Sequence, residues 1–245
     1  MFNMFRDTPP VVKNLLIINV LMYLAMLMLS GQGIDLTDYF GLHYWKSEAF
    51  YPHQLVTYMF MHSFTITHLF FNMFAVWMFG KVLESVWGSK RFLIYYMITG
   101  IGAGLIQLLV AYIRLMPLYD ALSPEELAYI TENGYQILQE GKNFTDPIPG
   151  KFNLLMNVTT VGASGSVFGV LLAFGMLFPN TELMLLFPPI PIKAKWFVIG
   201  YGAIELYSGM ADRAGDNVAH FAHLGGMLFG FFLIKYWQKN SNHFY

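Results

Sequence analysis

Gly162-Ala163-Ser164-Gly165-Ser166-Val167-Phe168-Gly169 opens an apolar run that closes before Pro179. Fifteen positions separate Ser164 from that proline, so a helix there rises only ~22 Å at ~1.5 Å per residue. The hydrocarbon core of a bilayer is ~30 Å thick. Such a helix falls short of crossing, and its head sits partway down, reached by the polar segment before it. Non-helical backbone is tolerated at that depth only where it lines a water-filled cavity or is buried in protein. A serine at the head of this helix stands where an enzyme would keep water inside a membrane. Small residues also let helices approach, and Gly165 and Gly169 form a GxxxG for which packing alone is a sufficient reading. The G-x-S-x-G elbow of soluble hydrolases is not met, because Ser166 occupies its last position.

The rest of the chain fits a membrane setting. Of its 245 residues 56% are hydrophobic and 12% charged, where a soluble domain carries about 25% charged residues. Besides the short run from Ser164 to before Pro179, five apolar stretches can be drawn, near residues 14–30, 65–79, 92–112, 196–209 and 218–236. Helices are the open choice for them, since a backbone in lipid must satisfy its own hydrogen bonds. The expected fold is therefore an all-α bundle of six transmembrane helices with a short fourth one, forming a single domain over residues 1–245. No small-residue cleavage site follows the first run, which reads as a retained span.

With the N-terminus inside, Arg6, Lys13, Lys81, Lys90, Arg91, Lys193, Lys195, Lys235 and Lys239 fall on the cytoplasmic side. Lys46, Arg114, Lys142, Lys151 and Arg213 fall outside. Nine against five satisfies the positive-inside rule and places both termini in the cytoplasm. The expected location is the cell (inner) membrane. A net charge of −1 supplies no basic face for nucleic acid. The absence of cysteine excludes disulfides, thiolate metal sites and a cysteine nucleophile. Two outer segments are long. Residues 31–53 are rich in aromatics suited to the headgroup level. The segment 114–157 is acidic, and Ser123-Pro124-Glu125-Glu126 within it reads as a capped helix start. That segment is expected to be an exposed helical insertion.

The last span adds a candidate base. Ala219-His220-Phe221-Ala222-His223-Leu224-Gly225-Gly226 leads to Gly230, and His223, Gly226 and Gly230 share one helical face. The glycines leave a groove beside His223 into which the small face around Ser164 would press. A serine and a histidine would then meet, as activation of a weak hydroxyl nucleophile requires. His220 lies on an adjoining face, where an interfacial or hydrogen-bonded histidine is the plainer reading. On the second span His68 and Asn72 stand four apart on one face and need partners. A metal set drawn from His62, His68, His220 and His223 is the rival; no HExxH occurs, and no acid is expected beside them. Donors aimed at a developing oxyanion fit better.

These residues resemble the rhomboid family of intramembrane serine proteases. The resemblance rests on Gly162-Ala163-Ser164-Gly165 (GxSG), on Ala222-His223-Leu224-Gly225-Gly226 with Gly230 (AHxxGxxxG), and on His68 through Asn72 (HxxxN), and it covers residues 51–236 apart from the insertion. It implies Ser164 as nucleophile and His223 as general base in a dyad. His68, Asn72 and the backbone amide of Ser164 become the oxyanion donors. Gly162 and Gly165 belong to the turn, Gly226 and Gly230 to the close-packed face, and Phe168 to the aromatic that packs on the base, here without a tyrosine hydroxyl. Glu84 and Gly88 resemble a structural turn after the second span. His53-Gln54 stands where the family often has Trp-Arg. The resemblance also implies transmembrane protein substrates, a lipid bilayer as surroundings, and neither cofactor nor metal. Glu205, near the outer end of the fifth span, has two readings, a hydrogen bond across the cavity mouth or, more simply, an interfacial acid reaching for the headgroups. A catalytically inactive relative and a proton-conducting transporter are the alternatives; the second leaves the Gly162–Gly165 pattern unexplained.

Overall fold

Two prolines decide where the chain first becomes helical. Proline suits the first helical position, since its φ is preset and the amide it lacks has no intrahelical acceptor there. In the computed structural model, which describes residues 7–184, 189–211 and 218–240, helix α1 runs Pro10–Ser30. Its first amides, on Val11 and Val12, donate to the Glu84 carboxylate at 2.9 and 2.8 Å. Glu84 is buried and accepts a third bond from Ser89 Oγ at 2.7 Å. The acid that the sequence offers as a turn element therefore caps α1, where its charge meets the positive end of the helix dipole. Glu84→Ala leaves these donors buried and unpaired, and is expected to lower the free energy of unfolding by about 2–3 kcal/mol. Thermal unfolding in detergent reads this out; a change below about 0.5 kcal/mol, the range of ordinary surface substitutions, would deny the contact that weight.

The segment that follows holds two short helices, α2 (Leu36–Phe40) and α3 (Gln54–Thr57), and the 3-10 turn Tyr58–Phe60. Gln54 is fully buried. Its Oε1 accepts from His43 N–H at 3.3 Å and its Nε2 donates to Ala49 O at 2.8 Å, while His53 Nε2 pairs with Tyr39 O at 2.9 Å. His53-Gln54 thus anchors this segment itself.

Helix α4 (Ile66–Ala75) continues through a π-helical turn, Val76–Gly80, into α5 (Lys81–Trp87). Then come α6 (Ser89–Tyr119), α7 (Pro124–Gln139), α8 (Pro147–Asn157) and α9 (Ser164–Leu177). An antiparallel hairpin, β1 (Glu182–Met184) with β2 (Pro191–Lys193), pairs Glu182 with Lys193. The chain ends in α10 (Ala194–Ala211) and α11 (His220–Asn240). A helix covers each apolar run read from the sequence. Among the described residues three helical stretches are long and apolar enough to cross a bilayer: Pro10–Ser30, Ile66–Trp87 and Ser89–Tyr119, with mean hydropathy 2.0, 1.4 and 1.8. The chain is a helical integral membrane protein. Arg6 and Arg213, counted in the charge balance, lie outside the described residues.

Two expectations need correction. The second run extends eight residues beyond Phe79, to Trp87, and the third seven beyond Tyr112, to Tyr119, because helical hydrogen bonding does not stop where apolar sequence stops. The insertion is also not simply exposed. Ser123 forms the anticipated capping box with Glu126, yet Phe152 and Asn153 of α8 are fully buried. Asn153 Nδ2 donates to Gly134 O at 3.1 Å and to Asn143 Oδ1 at 3.0 Å, folding α8 against α7.

At the centre, α9 buries eleven of its fourteen residues, which is what a helix apolar on every side requires. Helices α6 and α11 close on it through small residues. A side chain at Gly226 would collide with the Gly165 carbonyl, one at Gly165 with Ala103, and one at Gly230 with the Tyr95 hydroxyl. Polar bonds then tie α6 to α9: Ser166 Oγ donates to Tyr96 O and Tyr95 OH to Gly169 O, both at 2.8 Å. Such bonds between membrane helices contribute about 0.6–2 kcal/mol each.

Candidate active site

Ser164 is the first residue of α9, and the turn that delivers it is tied down before the helix begins. Gly162 adopts φ +130°, a region open to glycine and rarely to other residues. Its N–H donates to Tyr58 O at 3.0 Å, and the Tyr58 hydroxyl donates to Gly100 O on α6 at 2.7 Å. Helix α11 presents His223 through the close contact at Gly226. The result is a 2.8 Å separation between His223 Nε2 and Ser164 Oγ. Phe168, one turn along α9, stacks on the imidazole with ring centroids 4.2 Å apart and planes 7° apart.

His68 approaches from α4. Its Nδ1 accepts from the Ser63 backbone N–H at 3.3 Å and lies 3.1 Å from Ser63 Oγ. A neutral imidazole with Nδ1 accepting carries its proton on Nε2. That Nε2 faces Gly162: a Cβ built there would sit 2.9 Å from it and 3.5 Å from Ser164 Oγ. The missing side chain leaves a gap between an N–H donor and a hydroxyl, the size and polarity that a small oxyanion needs. Asn72 is buried and gives one amide hydrogen to His68 O at 3.0 Å, which leaves its second for another acceptor. His62, fully buried, packs edge-on against His68 with centroids 5.1 Å apart; its ring nitrogens have no hydrogen-bond partner among the described residues.

Ser164, His223, His68, Asn72, Gly162, Gly165 and Phe168 all line one cavity of about 1680 Å³. Gly226 and Gly230 lie behind it in the helix interface. The cavity runs between α4 and α10, with Phe71 and Phe74 on one side and Phe197 and Tyr201 on the other. It also reaches the insertion, where Phe144, Lys151 and Leu154 form part of its wall.

Sequence reasoning missed two residues. Ser63 holds the His68 ring, and only its nearness to His68 hints at this. Glu205 does not reach for headgroups: it is 7% exposed, and its Oε2 lies 2.9 Å from His223 Nδ1 and 2.6 Å from His220 Nδ1. The expectation that no acid stands beside these histidines therefore fails. Its partners are 15 and 18 positions away on the next helix, beyond any local spacing rule. Among the described residues Glu205, His220 and His223 are also the donors gathered closely enough to consider for a metal ion. Ligands bonded tetrahedrally at about 2.0 Å stand about 3.3 Å apart, so the observed spacing suits hydrogen bonds instead.

The Rhomboid domain family model matches residues 49–117 and 128–239, and the chain belongs to the rhomboid family. It is similar to Rhomboid protein 1, mitochondrial, of Saccharomyces cerevisiae, with 28% identity over 176 residues that cover 70% of this chain and 39% of that protein. The chain thus spans about two-fifths of the length of this relative.

Proposed function

We propose that the chain is an intramembrane serine endopeptidase that cleaves single-span transmembrane proteins with Ser164 as nucleophile and His223 as general base. The observation that carries this reading is the 2.8 Å contact between Ser164 Oγ and His223 Nε2 on the wall of a cavity inside a membrane protein. Rhomboid membership supports the reaction class.

In this reading residues 1–245 form one domain with six spans, carried by α1, α4 with α5, α6, the short α9, α10 and α11. Both termini face the cytoplasm, and the bilayer is the cell (inner) membrane. A substrate helix enters between α4 and α10 and unwinds near its outer end. Ser164 Oγ bonds to the scissile carbonyl carbon while its proton passes to His223 Nε2. The carbonyl oxygen becomes an oxyanion facing His68 Nε2–H, the second Asn72 amide hydrogen and the Ser164 backbone N–H, at the positive end of the α9 dipole. Collapse breaks the C–N bond, and His223 returns the proton to the departing amine. Water entering from outside repeats the sequence on the acyl-enzyme and frees Ser164. No cofactor or metal takes part in these steps.

Cleavage of a single-span reporter by the purified chain in liposomes, with parallel labelling of Ser164 by a fluorophosphonate, tests the proposal. Parent protein that neither cleaves nor labels would sink it. Loss of one oxyanion donor costs about 2.7–4 kcal/mol in soluble enzymes, so Asn72→Ala is expected to slow turnover about 100- to 1,000-fold. That loss should be smaller than the loss at Ser164; equal losses would assign Asn72 to structure.

A further inference from the structure

His223 has two ring nitrogens and one must remain a free acceptor if it is to take a proton from Ser164. A neutral imidazole offers one N–H and one lone pair, and either nitrogen can carry the hydrogen. Phe168 fixes the plane of the ring by stacking, but a phenyl face does not choose between tautomers. The choice is made on the opposite edge of the ring, where Glu205 Oε2 lies 2.9 Å from Nδ1. An ionised carboxylate only accepts. Nδ1 therefore holds the hydrogen, and the Nε2 lone pair faces Ser164 Oγ.

Glu205 is itself held. Its Oε2 also receives His220 Nδ1 at 2.6 Å, so two imidazoles from α11 converge on one oxygen of an α10 residue. Among the described residues the charged or titratable groups around His223 are Glu205 from α10, His220 from its own helix and His68 from α4; Arg114 of α6 donates to Gly209 O at 2.6 Å, one turn beyond Glu205. Glu205 is the anion in that set, placed where a positive charge develops as His223 takes up the serine proton.

We infer that Glu205 is a positioning residue for His223, holding Nδ1–H so that Nε2 is the base toward Ser164 and stabilising the imidazolium formed in each proton transfer. The inference rests on the serine-protease reading above and extends its pair to three members carried on α9, α11 and α10. The same division of labour, in which a buried carboxylate orients a histidine and stays ionised, operates in soluble serine proteases.

The test is steady-state cleavage of a single-span reporter by the purified full chain in detergent. Glu205→Gln keeps the size of the side chain and removes its charge. It is expected to lower kcat at least about 100-fold with KM within about twofold of the parent, and to slow fluorophosphonate labelling of Ser164 by a similar factor. Glu205→Leu fills a similar volume without polar atoms and is expected to give the same split. A kcat retained within about threefold in either folded variant overturns the inference. So does a loss expressed equally in KM, which would assign Glu205 to holding α10 against α11. Unfolding of both variants under conditions where the parent is folded would likewise make Glu205 a structural residue. Ser164→Ala separates the levels: if that variant cleaves as the parent does, the protease reading itself falls, whatever the Glu205 variants do.

Discussion

Ser164→Ala is expected to abolish reporter cleavage, lowering the rate by about 10⁴-fold or more, and to remove fluorophosphonate labelling altogether. The physical case is the absence of a substitute. Attack needs an oxygen at the end of α9 with its proton within reach of a base, and His223 Nε2 stands 2.8 Å from that one hydroxyl. The substitution should be structurally mild. Alanine keeps the backbone of the Gly162 turn, and the held groups nearby, Ser166 with Tyr96 O and Gly162 with Tyr58 O, do not involve the lost oxygen. An unchanged unfolding temperature beside lost turnover is therefore the expected pair of results. Residual cleavage above the background of a heat-inactivated sample would mean that another group performs the attack.

Gly226→Val is expected to give the largest loss of stability. Its Cβ would fall on the Gly165 carbonyl oxygen, and that oxygen belongs to backbone, which cannot rotate away as a side chain can. Either α11 retreats or α9 shifts. The first option pulls His223 from Ser164 and the second spoils the turn beneath Ser164, so stability and activity should fall together. Overpacking of a tight interior costs about 1–3 kcal/mol and sometimes more; the upper end or beyond is expected here. Gly200→Ala is the control. Nothing lies within 4 Å of a Cβ at that position, and alanine suits a helix interior better than glycine by about 0.5–1 kcal/mol, so its unfolding temperature should equal or slightly exceed the parent's. Equal stability of the two variants would show that the contact at Gly226 is looser than described.

How much of this was legible in the sequence follows from the range of each interaction. His68 with Asn72, and His223 with Gly226 and Gly230, share helical faces, and such spacings can be read without a fold. The start of α9 was legible for the same reason, since glycine and serine before an apolar run mark a helix head. The meeting of Ser164 with His223 spans 59 positions, and the sequence carries it only indirectly, through small residues on both partners. Glu205 shows where such reading stops. A lone acid near the end of an apolar run looks the same whether it faces lipid headgroups or two histidines, and only packing of α10 against α11 decides. The insertion misled for a related reason: acidic residues and a clean capping box describe the outer face of α7, while the buried side of α8 depends on Asn153 reaching Gly134 and Asn143.

Tyr58 lies outside every motif that marks the site, yet its carbonyl grips the Gly162 amide while its hydroxyl grips α6. The loop bearing the serine is thereby stayed to the helix behind it through this one residue, and its unusual shape is held by contacts that owe nothing to an occupant of the cavity. The work of bending that loop is completed during folding, so none of it is left to be done when a peptide bond arrives.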